Sequence, residues 1–278
     1  MSNKSTFTGA KRAHRGTVVQ QISLSGDCYR LLIESPDLAK SARAGQFVHI
    51  LPRERESTSP LLRRAFSIMT TNNGCIEILY RALGRGTALM SRWQVGQKID
   101  LLGPLGKPFA KPQHLLLLIG GGVGTPPLVM LAWQTRQEQP ELPIRALIAA
   151  KTTSEVLGKE DFLKSNVDVA VATDDGSEGH HGFVTDLLEQ QLRDNKIDYS
   201  IYACGPLPML RAVALICAKY ERRALLSLEE NMPCGIGVCN GCSIPVLNGE
   251  GDYGQYSRIC VEGPSLWSDE IDWVKLRP

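Results

Sequence analysis

The chain has 278 residues, 43% of them hydrophobic and 22% charged, which excludes a mainly disordered or coiled-coil protein and leaves room for two compact domains and a short third piece. Net charge is +2, from 31 Lys and Arg against 29 Asp and Glu, with no basic run, so no nucleic-acid partner is expected. The longest apolar stretch, residues 115–123, falls short of the roughly 18–20 residues of a membrane helix, and residues 1–15 lack the apolar core of a secretory signal. The expectation is a flexible leader over 1–14 and a cytoplasmic protein with no membrane association.

In chain order, residues 15–111 read as short strands. Strands are predicted over 16–22, 29–35, 46–51, 65–69, 75–81 and 98–102, and one helix over 87–93. Turn signals such as Ser25-Gly26-Asp27, Asn72-Asn73-Gly74 and Val95-Gly96-Gln97 separate them. This spacing predicts an N-terminal antiparallel β-barrel or sandwich. The pattern changes at Pro112. Residues 115–119 are wholly apolar, as in a strand buried on both faces. A glycine loop and a helix to about residue 137 follow, then strands over 144–149, 167–172, 200–204 and 224–228 with helices over 184–191 and 206–220. Alternation of this kind predicts a central α/β domain with a parallel, doubly wound sheet over 112–228. Residues 229–278 are glycine- and cysteine-rich with little periodicity, a small C-terminal domain. The fold class is therefore α+β multidomain.

Of eight cysteines, Cys28, Cys75, Cys204 and Cys217 are scattered, while Cys234, Cys239, Cys242 and Cys260 crowd the tail. Without a secretory signal, such a cluster points to metal or redox chemistry rather than disulfides. The spacing C-x4-C-x2-C, with seventeen residues before Cys260, is that of a plant-type [2Fe–2S] cluster. Gly235, Gly237 and Gly241 would let the loop wrap closely around it. A structural zinc site is the rival reading, although zinc usually shows two C-x2-C knuckles and only one is present.

Gly120, Gly121, Gly122, Val123 and Gly124 follow a buried strand and open a helix, the setting of a phosphate-binding turn. Pro127 replaces the last glycine of the Rossmann fingerprint, and no Walker lysine follows; a tight turn without a ligand is the plainer alternative. Arg64, Ala65, Phe66 and Ser67 lie on a barrel strand, followed by Leu79, Tyr80 and Arg81 and by Gly86 and Thr87 at a helix start. The arginine can pair with a diphosphate, and Ser67 and the aromatic rings suit a flavin. An arginine beside a core aromatic is also ordinary on any strand. Cys204, Gly205 and Pro206 end a strand of the parallel sheet, where ligands bind outside the carboxyl ends; a capped turn with a buried thiol is the alternative. His180 and His181, in a glycine-rich loop, read as solvated.

Taken in order, these motifs resemble the ferredoxin–NADP reductase superfamily. The tail is more specific: Ser227-Leu-Glu-Glu230, Met232-Pro-Cys234 through Cys242, and Arg258-Ile-Cys260-Val-Glu-Gly-Pro264 are similar to the electron-transfer subunits of type B dihydroorotate dehydrogenase. Ala65 stands where those subunits often have proline, and Glu262 where they often have aspartate. The resemblance implies FAD held by Arg64 to Ser67, Leu79 to Arg81, Gly86 and Thr87. It implies a nicotinamide nucleotide at Gly120 to Gly124 and Cys204 to Pro206, and a [2Fe–2S] cluster on Cys234, Cys239, Cys242 and Cys260. It further implies electron transfer between NAD(H) and an FMN-containing dihydroorotate dehydrogenase catalytic subunit, in a heterotetramer of two plus two, for pyrimidine biosynthesis. The flavin–iron–sulfur subunit of a sulfhydrogenase or a ferredoxin:NADP transhydrogenase would reuse the same modules, and a zinc-stapled binding protein is the non-enzymatic alternative. The residues after the second parallel strand, Ala149-Ala150-Lys151-Thr152, offer no acid and lean towards NADP. The resemblance leans towards NAD.

Overall fold

The computed structural model describes residues 12–53, 56–193, 197–247 and 254–276. Its first part holds strands β1 (Arg12–Ser23), β2 (Cys28–Glu34), β3 (Phe47–Leu51), β4 (Arg64–Ser67), β5 (Thr70–Asn72), β6 (Cys75–Arg81) and β7 (Lys98–Leu105), with helices α1 (Pro36–Ser41) and α2 (Arg85–Met90). They form one antiparallel sheet in the order β4-β3-β7-β1-β2-β6-β5. Among the described residues no ladder joins the end strands β4 and β5, so the expected barrel is an open half-barrel. The reason lies at the gap, where Phe66 of β4 and Tyr80 of β6 meet edge to face at 5.7 Å and line a cavity. β1 begins at Arg12 and pairs Arg12 with Gly103, so residues 12–14 belong to the sheet rather than to a leader. The rest of the expected leader lies outside the described residues.

The second part holds β8 (Leu115–Gly121), α3 (Pro126–Glu138), β9 (Ile144–Ala150), α4 (Lys159–Lys164), β10 (Asp168–Thr173), β11 (His180–His181), α5 (Val184–Leu192), β12 (Tyr199–Cys204), α6 (Leu207–Lys219) and β13 (Ala224–Ser227). The tail adds β14 (Ser243–Pro245), β15 (Tyr256–Arg258) and β16 (Ser265–Trp267). The second sheet runs β11-β10-β9-β8-β12-β13-β16, parallel except for β16. His180 and His181 are thus a short edge strand rather than a loop, and His180 faces Asp186 across 3.2 Å.

The apolar run of β8 works because successive side chains point to opposite faces. Leu116 and Leu118 join a core shared with α3, α4 and the half-barrel. Leu117 and Ile119 join a second core shared with α5, α6 and the tail. Prolines at the first positions of α3 and α6 cost no hydrogen bond there. Among the described residues the tail has no core of its own: Cys242, Ile244, Ile259 and Cys260 belong to one core with Leu226, Ile201 and Leu105.

The tail also touches the half-barrel. The Lys107 amide donates to Gly263 O at 2.6 Å. Gly106 has φ +74°, and a Cβ added there would lie 2.7 Å from Pro264 Cδ. We expect Gly106→Ala to cost about 2 kcal/mol from left-handed backbone and overpacking, lowering the melting temperature by about 5 °C. Differential scanning calorimetry of the loaded protein would measure it.

Candidate functional site

β8 and β12 lie side by side, Cys204 opposite Gly120. The chain continues from β8 to β9 and β10 on one side, and from β12 to β13 on the other. This is a topological switch point, where the loops part and ligands bind in such sheets. A cavity of about 620 Å³ opens there. Of the predicted nucleotide residues, Gly121, Gly122, Val123, Gly124, Gly205 and Pro206 line it. Gly120 does not; it lies beneath the loop, where a Cβ would sit 2.8 Å from Thr125 Cγ2. Glycine at 124 is required by close approach, since a Cβ would lie 2.5 Å from the Cys204 carbonyl oxygen. Gly122 has φ +53°.

A second cavity, about 280 Å³, sits in the gap of the half-barrel. Ala65, Phe66, Ser67, Leu79, Tyr80 and Arg81 line it, as does Cys204 from the parallel sheet. Tyr80 stacks on Tyr29 at 5.5 Å and donates to Gln21 Oε1 at 3.3 Å. Burial, with Glu229 nearby, raises the Cys204 thiol well above its ordinary range, so it stays protonated. Arg64, Gly86 and Thr87 do not border this cavity. They gather at the start of α2, where Arg64 Nε lies 3.3 Å from the position of a Cβ on Gly86. The Thr87 hydroxyl accepts from the amides of Leu83 and Gly84 at 3.0 and 3.2 Å, closing the helix start.

Arg81, Val123 and Glu229 border both cavities, which therefore meet. Arg81 is held there by Glu155 at 3.2 Å. Glu229 was quoted from the sequence only as part of Ser227-Leu-Glu-Glu230 and given no role; it lies two residues past β13, which pairs with β12. Its side chain opens into the cleft, and the surrounding protein raises its pKa by desolvation. Asp174 was also missed. The sequence reading looked for an acid after the second strand, whereas β10 pairs beside β9, Thr173 opposite Ala150, and brings Asp174 into the large cavity with Lys151.

The thiol loop follows Met232, which lines the half-barrel cavity. Cys242 and Cys260 are buried, Cys234 is half-buried and Cys239 exposed. The amides of Ile236 and Cys239 donate to Cys234 Sγ at 3.5 Å, and that of Gly241 to Cys239 Sγ at 3.4 Å. Burial opposes ionisation of Cys234, but these amides and that of Val238 prevail and bring its pKa down to about 6. Burial and a hydrogen bond with Cys242 push Cys260 up to about 12. Arg258 clamps the loop, donating to Gly237 O at 3.0 Å and pairing with Glu262 at 2.6 Å. Four thiols gathered in the tail, two of them receiving backbone amides at sulfur, fit a two-iron cluster.

Sequence reasoning also passed over His49 on β3. Its ring is fully buried, at 0% exposure, and packs beside Gly235 of the thiol loop. Burial and the nearby Arg63 charge bring its pKa down to about 4.

An aromatic-lined half-barrel cavity meeting a glycine-lined switch point defines a flavin–nicotinamide reductase module. A solved NADH-dependent reduced ferredoxin–NADP oxidoreductase matches with a TM-score of 0.81 and 28% identity, over 94% of this chain and 91% of that one. A ferredoxin–NADP+ reductase from Neisseria gonorrhoeae with bound FAD and NADP matches in fold, with a TM-score of 0.62 and 14% identity over 75% of this chain and 91% of its own. Residues 118–214 match the oxidoreductase NAD-binding domain, and residues 229–272 the iron–sulfur cluster binding domain of dihydroorotate dehydrogenase B. The electron transfer subunit of dihydroorotate dehydrogenase B (NAD(+)) from Shouchella clausii is 38% identical over 94% of this chain and 98% of its own. That of Geobacillus kaustophilus is 36% identical over 92% and 97%. The chain belongs to the family of dihydroorotate dehydrogenase B electron-transfer subunits. Among the described residues, no helix is long and apolar enough to cross a membrane.

The contact at Gly124 is backbone against backbone and cannot relax by a rotamer change. Gly124→Ala is expected to part the glycine loop from the Cys204 turn at a cost of about 1–3 kcal/mol, weakening nucleotide binding about tenfold to a hundredfold. NADH titration of the flavin absorbance would read this, with flavin content unchanged.

Proposed function

We propose that the chain is an oxidoreductase subunit that passes electrons between an FMN-containing dihydroorotate dehydrogenase catalytic subunit and NAD+, by way of a [2Fe–2S] cluster and FAD. The observation that carries this reading is serial placement: the nucleotide cavity meets the half-barrel cavity at Arg81, Val123 and Glu229, and Met232 leads from the latter into the thiol loop. A nicotinamide exchanges a hydride, a [2Fe–2S] cluster single electrons, and a flavin both, so bound FAD supplies the conversion between them.

In this reading the chain works as three functional segments, 15–111, 112–228 and 229–278. Ala65 to Ser67 and Leu79 to Arg81 seat the flavin ring, while Arg64, Gly86 and Thr87, further along the same strand edge, hold its diphosphate. Gly120 to Gly124 and Cys204 to Pro206 position the nicotinamide nucleotide against it. Cys234, Cys239, Cys242 and Cys260 would together supply the four thiolates that hold the two irons. Ile236 and Val238, exposed at 39% and 74% around Cys239, form an apolar rim suited to a protein partner at the cluster. The assembly is a heterotetramer of two plus two in the cytoplasm, where reducing conditions keep the thiols available.

Cys239→Ser removes a thiolate from the cluster without touching the residues that seat FAD. The expected result is loss of the iron–sulfur absorbance, retained FAD and retained flavin reduction by NADH, with orotate-linked turnover abolished. Unchanged turnover would sink the electron path. Native anaerobic purification should bring along an FMN protein that forms orotate; a hydrogenase or a larger flavoprotein in its place would redirect the assignment.

The nucleotide is NAD(H). The relatives are named for NAD(+), and Asp174 supplies a carboxylate for a ribose hydroxyl beside Lys151. NADH should reduce the flavin at least about tenfold more efficiently than NADPH, and Asp174→Ala should narrow that ratio. Stopped-flow comparison of the two nucleotides decides it. A preference for NADPH that vanishes in Lys151→Ala would reverse the assignment.

A further inference from the structure

His49 is a polar side chain where an apolar one would be expected. Its neighbours on β3, Val48 and Ile50, are core residues, and His49 itself is at 0% exposure. Among the described residues neither buried ring nitrogen has a hydrogen-bond partner. Leaving such groups unpaired costs about 1–3 kcal/mol each, and a leucine would fill the place without that penalty. Buried polar atoms in native proteins are satisfied, so the ring has a partner in the working protein.

Its surroundings identify where that partner lies. His49 pairs across the sheet with Ala65 and stands two residues from Phe47, and both of these line the half-barrel cavity. On the other side is the thiol loop. A Cβ on Gly235 would lie 2.5, 2.7 and 2.9 Å from His49 Cε1, Nδ1 and Nε2. The residue after Cys234 therefore has two reasons to be glycine: its φ of +69° and the imidazole edge against it. A neutral imidazole carries one N–H donor, and donors aimed at iron–sulfur sulfurs stabilise the reduced, more negative form.

We propose that His49 is a positioning residue for the iron–sulfur site, donating a ring N–H into its sulfur shell and thereby raising the reduction potential of the cluster. The inference rests on the cluster assignment made above. The test is an EPR-monitored redox titration of the cofactor-loaded complex in three forms: wild type, His49→Leu and His49→Gln. In His49→Leu the cluster should be harder to reduce, its reduced-to-oxidised ratio at fixed potential falling about tenfold, which is about 59 mV for one electron. His49→Gln keeps an N–H donor and should recover at least half of that shift. A cluster present at one potential in all three forms overturns the role of His49 alone, as would be found if buried water satisfied the ring. A wild type with no [2Fe–2S] signal overturns the cluster assignment instead. If His49→Leu does not load iron, pulsed EPR of wild type carrying 15N-labelled histidine decides: a weak coupling to a histidine nitrogen, lost in His49→Gln, supports the proposal, and its absence refutes it.

Discussion

The antiparallel pairing of β16 with β13 is what makes one machine of three sequence regions. β13 would otherwise be the open edge of a parallel sheet. Its pairing with Ser265–Trp267 covers that edge and brings the preceding residues, Gly263 and Pro264, to a fixed place. Pro264 O accepts from Leu228 in the parallel sheet, and Gly263 O accepts from Lys107 beyond the half-barrel. Cys260, three residues earlier, is thereby set in the core, and the thiol loop is wedged between the two larger parts.

The consequence for the cleft is geometric. Arg81 of β6 and Glu229, two residues beyond β13, border the same two cavities. Arg81 meets Glu155 at 3.2 Å and Arg30 of β2 meets Asp161 of α4 at 2.7 Å, two charged contacts between the half-barrel and the nucleotide-binding part. A shared core beneath α3 carries Leu128 and Val129 together with Ile68 and Met69. These contacts hold the two cavities in register, and holding reacting groups in orientation is one large source of an enzyme's rate advantage.

Local chemistry was legible in the sequence, and long-range pairing was not. The run 115–119, the glycine loop and the cysteine spacing each carry their meaning within a few residues, and each was found. Short helices such as α1 and α4 span six residues, too few for a clear helical period. β16 is three residues long and is defined by its partner rather than by its own pattern. The half-barrel read as a barrel because alternation shows strands and not closure. Asp174 and Glu229 become visible only once strand order is known. His49 sits inside an apolar strand as a single exception, and its meaning depends on Gly235, nearly two hundred residues away.

Cys242 and Cys260 share a core with Ile201, Leu226 and α6, which ties the thiol site to the whole second sheet. Cys242 and Cys260 reach their places only when the parallel sheet has closed and β16 has docked. The complete cradle for the thiols therefore exists only in a chain that extends through residue 267. A chain stalled earlier presents cysteines without a cradle, and metal insertion becomes a late checkpoint on whether the whole polypeptide has folded.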